Sequence, residues 1–258
     1  MNIVCIGSGN VATHLAIAFK AIGADIVQVW SHNSRNAEIL AALTKAKPVS
    51  KWEELDRNAD CYLIAVKDDA IAEVAGQLIG VKGIVVHTSG ATSIEVLAGA
   101  GSGYGVLYPL QTFSRTKALD LTQIPFCIEG DQPETLDKIN AIAQLLSANV
   151  SEVNSGQRKI LHLAAVFACN FTNHLYQLSA DLLQQHNLNL DLLKPLIMET
   201  AEKVQSALPV DVQTGPAVRN DKQTMGRHLA LLQDTPKLQE IYTLLSTSIK
   251  TYKTPAKG

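Results

Sequence analysis

Cysteine is scarce in this chain and widely scattered. Cys5, Cys61, Cys127 and Cys169 lie far apart and no C-x-x-C pair occurs, so the spacing that zinc and redox motifs require is missing and no metal is expected. Three of the four sit in apolar, strand-like runs, where a reduced, buried thiol acts as a small hydrophobe; this fits a reducing compartment. An excess of one charge is also lacking. The formal net charge is -2, with acids and bases interspersed, which argues against a nucleic-acid surface or a basic membrane patch. Long hydrophobic runs are absent. The most apolar later stretch, residues 160–171, is about twelve residues long and contains His162 and Asn170, too short and too polar to span a bilayer. The start, Met1-Asn2-Ile3-Val4, has no basic region and its apolar run ends at Gly7. No secretory leader is expected, and the expected location is cytoplasmic. No internal repeat or low-complexity tract is visible.

What is present is material for a core. Of 258 residues, 47% are hydrophobic and 18% charged, the composition of a soluble globular protein with one large or two ordinary domains. Up to about residue 153, short apolar runs alternate with helical periodicity. Strands are expected at Asn2 to Ile6, Asp25 to Trp30, Cys61 to Val66, Gly83 to His87 and Pro125 to Glu129, with shorter extended pieces near 47–49, 103–107 and 150–153. Helices are expected at Val11 to Ile22, Ser34 to Leu43, Ala70 to Leu78 and Pro133 to Leu146, proline suiting a first turn. Strands alternating with helices predict an α/β fold: a doubly wound parallel sheet covered on both faces. Beyond about 154 strand signals vanish. Gln157 to His186, Leu190 to Leu208 and Asp234 to Tyr252 read as helices, with a polar loop at Pro209 to Arg227. The expected division is 1–153 for the sheet domain and 154–258 for a helical one.

The sharpest motif is Gly7-Ser8-Gly9-Asn10-Val11-Ala12. It matches G-x-G-x-x-[G/A] between the first strand and the first helix, where a dinucleotide-binding turn belongs. Gly7 permits the tight turn, Gly9 admits a pyrophosphate to the backbone, and Ala12 lets helix and strand pack closely. The N–H groups at the helix start would hold the phosphates. The end of the second strand, Val29-Trp30-Ser31-His32-Asn33-Ser34-Arg35, has no acid to accept from a ribose 2′-OH, and Asp25 stands at the wrong end. Ser31, Asn33 and Ser34 can donate hydrogen bonds and Arg35 can pair with a 2′-phosphate. NADP is therefore expected over NAD. The alternative role for these residues is a Ser34 helix cap beside an exposed arginine.

Two further strand ends should face the nicotinamide half of a cofactor: Ala65-Val66-Lys67-Asp68-Asp69 and His87-Thr88-Ser89-Gly90. Ala65, Val66, His87, Thr88 and Ser89 are candidate cofactor contacts. Asp68 or Asp69 serves equally well as a helix cap, and His87 is either functional or a buried structural histidine. Tyr108 lines the cleft or packs in the core. In the helical region His162, Val166, Cys169, Asn170 and Asn173 share an arc of roughly 100° on one ideal helix. His162, Asn170 and Asn173 face either a substrate or neighbouring helices. Thr214-Gly215-Pro216-Ala217-Val218-Arg219-Asn220-Asp221 is a second unusual segment. There Arg219 can grip an acidic group, and Asp221 orients it or caps the next helix.

These segments together resemble a bacterial family of Rossmann-like, NADP-binding proteins with a C-terminal helical domain of unknown function. The resemblance rests on the Gly7 to Ala12 turn, the His87 to Gly90 loop, Tyr108-Pro109, His162, Ala165-Val166, Asn170 and Thr214 to Asp221, and spans nearly the whole chain. More distantly the plan is similar to pyrroline-5-carboxylate reductases and 3-hydroxyacid dehydrogenases. That wider resemblance implies a Rossmann-type sheet, a cleft with cofactor on one wall, and a homodimer formed through the helical domain. The lysine that 3-hydroxyacid dehydrogenases carry one turn before their asparagine is replaced here by Val166 before Asn170, so their substrate does not carry over. The expected function is an NADP(H)-dependent oxidoreductase of a small carbonyl, imine or hydroxy-acid substrate. His162 and His87 are its candidate proton donors, Asn170 positions the reacting group, and Tyr108, Asn173 and Arg219 bind substrate. The rival reading is a non-catalytic NADP(H) sensor.

Overall fold

A computed structural model of the chain describes residues 1–114 and 119–252. It divides into two compact units, Met1–Asn170 and Phe171–Gly258.

The first unit is built on one eight-stranded sheet. Its strands are β1 (Asn2–Ile6), β2 (Asp25–Trp30), β3 (Lys47–Val49), β4 (Cys61–Ile64), β5 (Ile84–His87), β6 (Tyr104–Pro109), β7 (Phe126–Gly130) and β8 (Val150–Glu152), in the order β3-β2-β1-β4-β5-β6-β7-β8. Among the described residues five α-helices accompany it: α1 (Asn10–Ala21), α2 (Ser34–Thr44), α3 (Ile71–Gln77), α4 (Pro133–Leu146) and α5 (Ser155–Ala165). The period-two alternation of a strand explains the two cores. From β1, Ile3 and Cys5 face a core with Leu15, Phe19, Leu40 and Ile139. Val4 and Ile6 face another with Trp30, Tyr62, Ile71 and Leu78. Both faces are thus buried, as a doubly wound sheet requires. The chain leaves β1 for β2 on one side and continues from β4 on the other, so β1 and β4 flank the switch point beyond whose carboxyl ends ligands bind.

The sheet is the doubly wound, mostly parallel one expected from the sequence, with one reversed strand: β7 runs antiparallel to β6. Among the described residues of the β6–β7 connection there is no α-helix to make a crossover, and strands joined without one pair antiparallel. Parallel pairing resumes at β8 after α4.

The second unit is helical: α6 (Thr172–Gln185), α7 (Lys194–Ser206), α8 (Lys222–Leu231) and α9 (Pro236–Thr251). Two expectations change. The last part of the loop expected at 209–227 is the start of α8, whose cap is Asp221; its carboxylate accepts from the Thr224 N–H at 3.0 Å. The helix expected at 157–186 is interrupted by a π-helical stretch, Val166–Phe171. No helix among the described residues is long and apolar enough to cross a membrane. Cys5, Cys61 and Cys127 are buried and Cys169 is exposed, all as free thiols. Burial pushes Cys5 and Cys61 up to about 12, which leaves both inert at neutral pH.

Candidate functional site

A cavity of about 850 Å³ opens at the carboxyl ends of the strands, within the first unit. Its floor is the turn between β1 and α1. Gly7 has φ +119°, and a Cβ there would stand 2.2 Å from the Ala65 carbonyl oxygen, so only glycine fits. Its N–H donates to the Trp30 carbonyl at 2.8 Å, tying the turn to β2. Gly9 is the opposite case. A Cβ there would meet nothing within 4 Å, so the space above its backbone is open. Gly9 begins α1 without any side-chain cap, and so the helix start can receive an acceptor from outside the chain.

Of the residues singled out in the sequence, Gly7, Ser8, Gly9, Asn10, Val11, Ser31, Asn33, Ala65, Val66, Thr88, Ser89, Tyr108 and His162 line this one cavity. The Ser8 and Ser31 hydroxyls are hydrogen-bonded at 2.8 Å, linking the turn to the end of β2. Asn33, not Ser34, caps α2, accepting from the Asn36 N–H at 3.2 Å. Ser34 and Arg35 are exposed in the first turn of α2 and are not among the lining residues; His32 is. The Asn10 side chain donates to the Phe113 carbonyl at 2.9 Å, and the His14 ring meets the Ser114 carbonyl at 2.9 Å, so segment 109–114 closes over the start of α1.

At the far end Tyr108 and His162 face each other. The Tyr108 hydroxyl and His162 Nδ1 are 3.2 Å apart, with the rings edge to face. Burial pushes the phenol up to about 12, helped by the Asp68 carboxylate that lines the same cavity. Gly90 makes room for the pair: a Cβ there would lie 2.7 Å from both His162 Nδ1 and Tyr108 Cζ. The helix carrying His162 is fastened by Arg158, which is fully buried. Its guanidinium pairs with Glu129 at the end of β7, and donates to the Thr92 carbonyl at 2.6 Å and to Ser155 Oγ at 3.1 Å. Leu161 packs against the cluster of Ile94, Val106, Tyr108 and Cys127. No motif in the sequence points to Arg158, to Trp52 or to Glu73, the last two of which also line the cavity.

Four residues singled out in the sequence, His87, Asn170, Asn173 and Arg219, are not among those lining this cavity. His87 is fully buried and does not line the cavity, and desolvation, then the Arg158 charge, pushes it down to about 4. Its Nδ1 accepts from the Ser89 N–H at 3.1 Å, so its role is to shape the loop. Asn170 is exposed in the π-helical stretch, and Asn173 and Arg219 are exposed in the second unit. The arc assumes an ideal α-helix, and the π-helical stretch Val166–Phe171 departs from that geometry.

The chain matches a model of a Rossmann-like domain over residues 1–111 and one described as a domain of unknown function, DUF2520, over residues 124–249. A Bacteroides fragilis protein provisionally described as an NADP oxidoreductase is 44% identical, with 97% of this chain and 98% of that one covered and a TM-score of 0.92. The chain belongs to this family of Rossmann-like proteins with a DUF2520 domain. The fold is shared more widely. An imine reductase from Myxococcus stipitatus, solved in complex with NADP+, is 17% identical over 97% of this chain and 93% of that one, TM-score 0.66. A pyrroline-5-carboxylate reductase from Coxiella burnetii is 16% identical over 96% of each chain, TM-score 0.57. A search of curated proteins gives no match.

Proposed function

We propose that this member of the family is an NADP(H)-dependent oxidoreductase acting on a small carbonyl, imine or hydroxy-acid substrate. One observation carries the reading: the glycine turn and the Tyr108–His162 pair line the same cavity. The open space above Gly9 and the uncapped start of α1 fit a pyrophosphate. The end of β2 offers Ser31, His32 and Asn33 and no carboxylate, which favours a 2′-phosphate over a free ribose hydroxyl. Thr88 and Ser89 lie toward β5 and β6, on the nicotinamide side. The description of the Bacteroides relative as an NADP oxidoreductase points the same way.

A bound nicotinamide supplies the hydride chemistry, and the protein supplies position and a proton. Tyr108 is the proton source. Its hydroxyl, like any phenol, is protonated at neutral pH, and His162 Nδ1, in hydrogen-bond reach, is the group through which that proton is replaced. Arg158 sets the helix that presents His162, and His87 sets the loop that carries Ser89 and Gly90. We also propose that a second copy of the chain covers the helical unit. Among its described residues α6, α7 and α9 bury no side chain, and Leu192, Leu196, Met198 and Leu244 are exposed.

The test is a titration with NADPH and with NADH followed by reduced-nicotinamide fluorescence. Tight NADPH and weak NADH binding is expected; binding of neither sinks the reading. In a screen of carbonyl and imine substrates, Gly90→Ala, which drives His162 from Tyr108, should keep NADPH affinity and lose turnover.

A further inference from the structure

The chain has two tryptophans, and they meet in one place. Trp30 closes β2 and is 8% exposed; Trp52 opens a short 3-10 turn, Trp52–Glu54, after β3. Their rings stack, with centroids 3.9 Å apart and planes inclined by 19°. Trp30 is set in the core with Val4, Ile6, Val49 and Tyr62, and Trp52 packs against that core while staying partly exposed. The buried Trp30 Nε1 has no hydrogen-bond partner, so packing and stacking alone fix this indole. Both rings line the cavity described above, as do Val66, Ala70 and Val74 from the β4–α3 connection and α3.

Core packing accounts for Trp30. It does not account for a second indole laid on the first at the mouth of a cavity. The path of a dinucleotide does. With the pyrophosphate at Gly9 and the ribose at the end of β2, the base lies beyond the ribose, where β3 gives way to Trp52 and α3 begins. The cavity lining includes the two indoles and the aliphatic Val66, Ala70 and Val74, surfaces that suit a flat heterocycle. Stacking on an indole rewards the π-face of a base without needing a hydrogen bond.

We propose that Trp52, backed by Trp30, is the platform for the purine base of the bound dinucleotide, with Val66, Ala70 and Val74 as the opposite wall. The proposal rests on the nucleotide reading above. It assigns the affinity for the adenine half to a residue remote from the proton-transfer end.

The test is calorimetric titration of the full chain with NADPH and with its two halves, 2′,5′-ADP and reduced nicotinamide mononucleotide. Wild type, Trp52→Ala and Trp52→Phe are compared. Trp52→Ala should weaken 2′,5′-ADP and NADPH by about tenfold or more and leave the mononucleotide unchanged, and Trp52→Phe should restore most of the loss. Since the only indoles are in this stack, 2′,5′-ADP should also quench the tryptophan emission of the wild type. Unchanged 2′,5′-ADP affinity in Trp52→Ala, with wild-type NADPH binding intact, overturns the platform and leaves the nucleotide reading standing. Equal loss for both halves marks general damage and also overturns it. No binding of any of the three by wild type overturns the nucleotide reading, and the platform with it.

Discussion

His87 makes the protein sensitive to acid in a way that can be worked out from its surroundings. It is fully buried at the end of β5, and its Nδ1 accepts from the Ser89 N–H. The proton of the neutral ring is therefore on Nε2, which has no well-formed acceptor. Burial depresses the imidazole most and the Arg158 guanidinium adds to this, while the Ser93 backbone and Glu129 oppose; the net result is about 4 against an ordinary 6.5. A depressed histidine binds its proton more readily in the unfolded chain. Stability is therefore complete above the unfolded value and falls as the pH drops from about 6.5 to about 4, below which no more is lost to this group. At about 1.4 kcal/mol per pH unit the whole loss is about 3–4 kcal/mol, most of it reached by pH ~4.5. The perturbation is His87→Asn, whose side-chain oxygen can still accept from Ser89. Urea unfolding of both proteins at pH ~7 and ~4.5 gives the comparison. Carboxylates common to the two cancel in the difference. The variant should lose about 2–3 kcal/mol less than wild type on acidification. Equal losses would refute the argument, because they would mean that the buried ring does not resist its proton.

Three further outcomes separate structure from binding. Gly7→Ala forces a side chain into a left-handed backbone with the Ala65 carbonyl oxygen 2.2 Å away. It should cost about 3 kcal/mol or more in a denaturant melt. Gly9→Ala meets no atom of the protein and should leave the melt within about 0.5 kcal/mol of wild type, yet NADPH affinity by calorimetry should collapse, since the methyl stands where the pyrophosphate would lie. Arg158→Met strands Glu129, which is 16% exposed, and unties the Thr92 carbonyl; a loss of about 3–5 kcal/mol is expected, and adding Glu129→Gln should recover part of it.

The parts of this fold legible in the sequence are those whose cause is local. Gly7, Gly9 and Ala12 declare a phosphate turn because each occupies a backbone position with its own steric demand, and the structure meets those demands at Ala65 and above Gly9. β1, β4 and β5 are readable because a strand buried on both faces must be apolar throughout. What is not legible depends on pairing at a distance. The direction of β7 is set by how the chain returns from β6. The cap of α8 is one of two options the sequence leaves open for Asp221, but Gly226 inside the helix lowers its propensity and hides the helix behind it. The π-helical stretch leaves no compositional trace, so the arc that gathers His162, Asn170 and Asn173 belongs to a geometry the chain does not have.

Arg158 shows why the remaining part of the site could not be read. On a helix an arginine one turn before a histidine shares its face, but by composition an arginine is expected to keep its charge in water. Here the histidine lines the cavity and the arginine is sealed. The difference is Glu129, 29 positions earlier in the chain, which stands at the end of β7. A buried guanidinium without a partner would be far costlier than the helix could support; with Glu129, Ser155 and the Thr92 carbonyl around it, burial becomes the stable choice. The same contacts join α5 to the segment after Gly90, so the group that pins the helix also holds the loop against which His162 and Tyr108 meet. The geometry of the proposed proton-transfer pair is thus a consequence of one long-range ion pair. Substitutions at Arg158 that still fold should therefore disturb the Tyr108–His162 contact before they disturb the glycine turn.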